Sequence, residues 1–115
     1  YREATQVHMQ KQINLLQEIK WICRKHDTDV KIIISPDYLQ VNINPADVKT
    51  LKRFFGKRNV FDFTGINEYT EDIHNYYEPG HYRPALGKRL MEKIYEPYIL
   101  SPNAKSPASP SPGTI

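Results

Sequence analysis

A single cysteine, Cys23, in a chain of 115 residues excludes an internal disulfide framework and a zinc site built on cysteines. Long apolar runs are missing as well. Nothing approaches the roughly 20 residues that a membrane span needs, so no membrane segment is expected. The chain opens on Tyr1-Arg2-Glu3 rather than on the basic and apolar regions of a signal peptide. Charge of one sign is scarce: with 16 Lys and Arg against 13 Asp and Glu, the net charge of +3 demands no polyanionic partner, and no nucleic acid is expected. Serine is nearly absent from the body of the chain, where Ser35 stands alone before Ser101.

What is present suffices for one folded domain. Hydrophobic residues make up 39% of the chain, with four Phe, eight Tyr and one Trp, enough for a core and for a length that suits one domain rather than two. From Ser101 onward the composition turns to Ser, Pro, Ala and Gly with a repeated Ser-Pro step. Such a stretch cannot bury enough apolar surface to order itself. The expected organisation is a folded part over 1–98 and a disordered tail over 99–115.

Hydrophobic spacing predicts one long helix over 4–26. Met9, Ile13, Leu16 and Cys23 form one stripe with Leu15, Ile19 and Ile22 beside it. Cys23 then reads as a small core residue. Arg24, Lys25 and His26 suit the negative helix end, and His8, early on the polar side, reads as another helix residue rather than a ligand. The apolar, β-branched run Val30–Ser35 predicts a strand buried on both faces, ended by Pro36, with a loop over 37–44. Asn44 followed by Pro45 starts a second helix as N-cap and first helical residue, with Val48, Leu51, Phe54 and Phe55 on its apolar face and Gly56 as its stop. A second strand covers 59–63 and a third helix 84–95, buried through Leu86, Leu90, Met91 and Ile94.

Helix alternating with strand implies parallel strands joined by right-handed crossovers, with functional groups beyond the strands' C-terminal ends. The loop after Phe63 leaves that edge carrying Glu78 and His81. Two strands make a poor sheet where about five are usual. The missing strands are therefore expected in an N-terminal portion ahead of Tyr1, or from self-association.

The run Asn75-Tyr76-Tyr77-Glu78-Pro79-Gly80-His81-Tyr82-Arg83-Pro84 places a carboxylate three residues before a histidine across a Pro-Gly bend. Folded back, Glu78 reaches the imidazole Nδ1 and leaves Nε2 free for a nucleophile, an arrangement suited to acid–base work near neutral pH. The same spacing also occurs in solvated loops. On a helix it is a di-iron ligand pattern, but Pro79-Gly80 removes the helix, so no metal and no cofactor is expected. The basic run Lys49, Lys52, Arg53, Lys57 and Arg58 reads as the solvated face of a helix. Tyr76, Tyr77 and Tyr82 could stack on a sugar or pack around the histidine loop. His74 has no matched role.

Val60-Phe61-Asp62-Phe63-Thr64-Gly65, followed by Tyr76-Tyr77-Glu78-Pro79-Gly80-His81-Tyr82-Arg83-Pro84-x-x-Gly87, resembles the C-terminal end of SGNH-type (GDSL-like) hydrolases of bacteria. Lys31–Pro36 resembles their penultimate strand, and the resemblance covers roughly residues 10 to 97. It implies the C-terminal portion of a three-layer αβα, flavodoxin-like fold with a parallel sheet. By that resemblance His81 is the general base and then acid, Glu78 orients it, and Arg83 and Tyr82 lie at the substrate. The implied activity is that of a serine esterase or O-acyltransferase acting on an acylated small molecule or carbohydrate, with the cell envelope as the implied setting. The chain departs from the family in having Glu for the usual Asp and in lacking a Gly-Asp-Ser-like nucleophile block; Ser35, followed by Pro, is not read as the nucleophile. The alternative is a non-catalytic interaction or binding domain with a degenerate SGNH fold.

Overall fold

A computed structural model describes the backbone of residues 1–100 and the side chains as far as Glu96. In chain order the elements are β1 (Arg2–Glu3), α1 (Gln10–Lys25), β2 (Ile32–Ile34), β3 (Val41–Asn42), α2 (Pro45–Phe55), β4 (Val60–Asp62), β5 (Tyr76–Glu78), β6 (His81–Tyr82) and α3 (Pro84–Leu100). The described residues are thus mixed α/β, with three α-helices and three short two-stranded sheets.

The central unit is β2–α2–β4. Its strands pair in parallel, Ile32 with Val60 and Ile34 with Asp62, as a helical crossover requires. One further bond, from Phe63 N–H to the Ile34 carbonyl (3.0 Å), carries the ladder past the strand ends. The crossover helix has the expected bounds. The Asn44 side chain accepts from Ala46 N–H at 2.9 Å, Pro45 takes the first helical position, and Gly56 ends the helix at φ +93°. Val60 is buried at the next strand's start.

The first helix departs from expectation at its N-terminal end. Residues 4–9 lie outside any helix, because groups distant in sequence capture their backbone. The Asp47 carboxylate accepts from Val7 N–H and His8 N–H, each at 2.9 Å, and Ala4 N–H donates to the Asn42 carbonyl at 2.8 Å. These bonds hold β1 parallel to β3, within the stretch expected to be a plain loop. α1 therefore begins only at Gln10, after Met9, without a side-chain cap.

α1 packs against α2 yet buries none of its residues. Ile13, Leu16 and Cys23 are half-buried, whereas Met9, Leu15, Ile19 and Ile22 are exposed. The expected core stripe is thus covered along one side only. The actual core is formed by Phe63, Tyr69, Tyr76, Leu86, Leu90 and Ile94, with Ile33, Tyr38, Phe61, Tyr82 and Tyr95 packed against it. α3 supplies three of these as expected, while Met91 faces outward. Its backbone runs helically to Leu100, past the boundary expected at 98; the remainder of the expected tail, 101–115, lies outside the described residues.

Candidate functional site

The segment after β4 is shaped by short polar side chains. Asp62 Oδ1 accepts from the Thr64 backbone and hydroxyl, and the fully buried Thr70 donates its hydroxyl to the Gly65 carbonyl at 2.6 Å. Gly65 sits at φ +84°, where a Cβ would lie 2.2 Å from Asn42 Oδ1. Asn67 and Asn75 anchor the next turns through the Phe63 and Tyr69 carbonyls. A single 3-10 turn, Ile73–Asn75, follows, and Asp72 caps it by accepting from His74 N–H at 2.9 Å. That backbone bond, with the His74 ring beside it, holds the Asp72 carboxyl below its ordinary range.

This platform delivers an antiparallel hairpin, β5 to β6, closed by Pro79-Gly80. Tyr76 pairs with Tyr82 and Glu78 with His81, and the register shifts between them. The shift matters for direction. Tyr76 and Tyr82 point inward to the core, and in a regular strand Glu78, two residues on, would share that face. The extra residue in β5 is Tyr77, a β-bulge that turns Glu78 outward beside His81.

On the outer face His81 Nδ1 meets Glu78 Oε1. With the proton on Nδ1, the lone pair lies on Nε2. Both side chains are open to solvent, 73% for His81 and 63% for Glu78, so the pair stands on the surface rather than in a cleft. The hairpin is held at the C-terminal end of the parallel pair: Tyr38 N–H, just past β2, donates to the Pro79 carbonyl at 2.9 Å. The Tyr38 and Tyr76 rings meet at 5.6 Å, and Arg83 N–H closes the hairpin base on the Asn75 carbonyl at 2.7 Å.

The four expected site residues therefore divide. Glu78 and His81 come together. Arg83 shares the outer face, with its guanidinium 4.3 Å from the Tyr77 ring centroid. Tyr82 points the other way, into the core packing and beside Gly87, so packing around the histidine loop accounts for it. Ser35 is exposed at the end of β2 and makes no hydrogen bond to His81. Tyr38, which pins the hairpin, lay hidden in sequence within an unremarkable loop.

Three further features of the fold involve buried polar groups or open space. The Tyr76 hydroxyl is buried without a hydrogen-bond partner, and burial, with the nearby Asp37 charge, raises its pKa above the ordinary 10.0. His8 lies not on a helix but next to the fully buried Asp47, with Nδ1 3.1 Å from Oδ1 at an angle unsuited to a hydrogen bond. An acid at the third position of α2 suits the positive end of that helix. A cavity of about 440 Å³ is lined by Arg2, Tyr38, Leu39, Gln40, Thr70 and Glu71 and not by the His81 pair. Among the described residues no group of three or more His, Cys, Asp or Glu is placed to hold a metal ion, and no helix is long and apolar enough to cross a membrane.

No protein-family model, curated protein or solved structure matches this chain.

Proposed function

We propose that this chain is the C-terminal portion of an SGNH-like serine esterase or O-acyltransferase, with His81 and Glu78 as the acid–base part of a triad whose serine lies outside it. The observation that carries this reading is the Glu78 carboxylate on His81 Nδ1, with the other face of the ring open to solvent. A carboxylate there fixes the tautomer that leaves Nε2 basic and stabilises the imidazolium once a serine proton has been taken. The same histidine then returns the proton to the leaving alkoxide. A parallel pair with a helical crossover, and an acid–base loop beyond its C-terminal end, fits a larger three-layer αβα domain with further strands supplied by an N-terminal portion. Acylated small molecules or carbohydrates are the substrates that suit this chemistry.

The test is ester cleavage and acyl transfer by the serine-containing protein. His81→Ala is expected to lower kcat by several orders of magnitude, and Glu78→Gln to cost less, since the imidazole survives with poorer orientation. Retained kcat in His81→Ala, alongside a lowered melting temperature, would overturn the reading. A second reading, a binding domain that keeps this geometry without catalysis, is favoured by one observation: the pair is exposed rather than enclosed. It predicts that no serine-directed probe reacts in a His81-dependent way.

A further inference from the structure

The outer face of the hairpin carries a cation with no anionic counterpart. Arg83 has no carboxylate partner among the described residues; its guanidinium lies over the Tyr77 ring, and its backbone N–H is fixed on Asn75. By contrast, several other basic side chains are engaged: Lys93 with Glu96, Lys31 with Asp29, Arg89 with Glu68. Stacking on an aromatic face holds a guanidinium flat and leaves its edge donors outward, which presents a fork matched to the paired oxygens of a carboxylate or phosphate. The bulge turns Glu78 to the side that Tyr77 already faces, so the carboxylate beside His81 and the ring under Arg83 share one face.

His81 and Arg83 are two residues apart on an extended segment whose intervening Tyr82 points inward, so they share the outer face about 7 Å apart along the chain. We propose that Arg83, seated on Tyr77, is a subsite for an anionic oxygen group, carboxylate or phosphate, on the molecule that His81 acts upon. The substrate class narrows accordingly, to acylated molecules that bear a negative group a few bonds from the reacting carbonyl. What happens at the His81 end rests on the acyl-transfer reading. Anion capture by Arg83 does not.

The experiment is an NMR titration of this 115-residue chain, labelled with nitrogen-15, at constant ionic strength. Methyl phosphate and acetate are the two anionic probes, and trimethyl phosphate is the neutral control. The expected result is a saturable shift of the Arg83 Nε–H and of the Tyr77 and His81–Arg83 amides with an anion and none with the control; which of the two anions binds more tightly distinguishes phosphate from carboxylate. Arg83→Gln is expected to weaken binding at least about tenfold, the loss of a charge-assisted hydrogen bond. Arg83→Lys should keep part of it, and Tyr77→Leu should weaken it less than Arg83→Gln. Because Arg83 is exposed, unchanged shifts elsewhere will show that the variants remain folded. Equal binding by Arg83→Gln, or shifts confined to Lys49, Lys52, Arg53, Lys57 and Arg58, would overturn the proposal. Saturable binding in a protein whose ester cleavage survives His81→Ala would sink the acyl-transfer reading and leave the anion subsite standing. The reverse pattern would sink the subsite alone.

Discussion

Tyr76 is a side chain whose burial leaves a polar atom unpaired. Its ring is in the core, but its hydroxyl has given up water without gaining a partner, a loss of order 1–3 kcal/mol for a buried polar group. Tyr76→Phe is therefore expected to leave urea stability unchanged or to raise it. The phenols also set an alkaline limit. Burial raises the pKa of both Tyr69 and Tyr76 above 10.0, with Glu68 and Asp37 adding to it respectively. Above pH 10 the unfolded chain loses these protons before the folded one does, so the fold binds more protons and its stability falls as pH rises through that window. Urea midpoints measured on either side of pH 10 should show this fall, and Tyr69→Phe with Tyr76→Phe should flatten it. Gly65 is constrained from both directions, by φ +84° and by Asn42, which is itself held on the Arg2 carbonyl. Gly65→Ala should cost about 1–3 kcal/mol, and Asn42→Ala in the same chain should recover the part due to the clash.

Among the elements, α2 was legible residue by residue because its signals are local: Asn44 caps, Pro45 starts, Gly56 stops. The start of α1 was not, because the competing partner of Val7 and His8 is a carboxylate about 40 positions away, and periodicity carries no record of it. The site divides in the same way. Glu78 and His81 could be paired from sequence, since a Pro-Gly bend lies between them. The bulge at Tyr77 and the clasp from Tyr38 to Pro79 could not, since each depends on which residues happen to lie opposite. Asp47→Ala tests the long-range tie. It removes two hydrogen bonds to a charged acceptor and is expected to cost about 3 kcal/mol. Amide exchange should rise at Val7, His8 and β1 while β2 and β4 stay protected.

For the molecule as a whole, the weight of stability lies on the α3 side. Leu90 is completely buried, and Leu90→Ala should cost about 2–5 kcal/mol. Ile19, on the uncovered side of α1, is about half exposed; Ile19→Lys should leave the melting temperature of this chain nearly unchanged, surface changes being worth about 0.5 kcal/mol or less. If the two substitutions cost the same, α1 is buried in solution and the division of the molecule is wrong. An α/β unit that leaves a helix half covered and each of its parallel pairs at two strands has unused capacity for packing.

The supernumerary position of Tyr77 has a consequence for how such a site can change. Deleting that one residue would restore a regular ladder, keep Glu78 opposite His81 across the Pro79-Gly80 turn, and take away the ring beneath Arg83. The Glu78–His81 pair and the Arg83–Tyr77 stack are therefore separable by the loss of a single codon. A lineage could discard the proposed anion subsite while retaining the imidazole and its carboxylate, and the inserted codon would return that subsite without disturbing them.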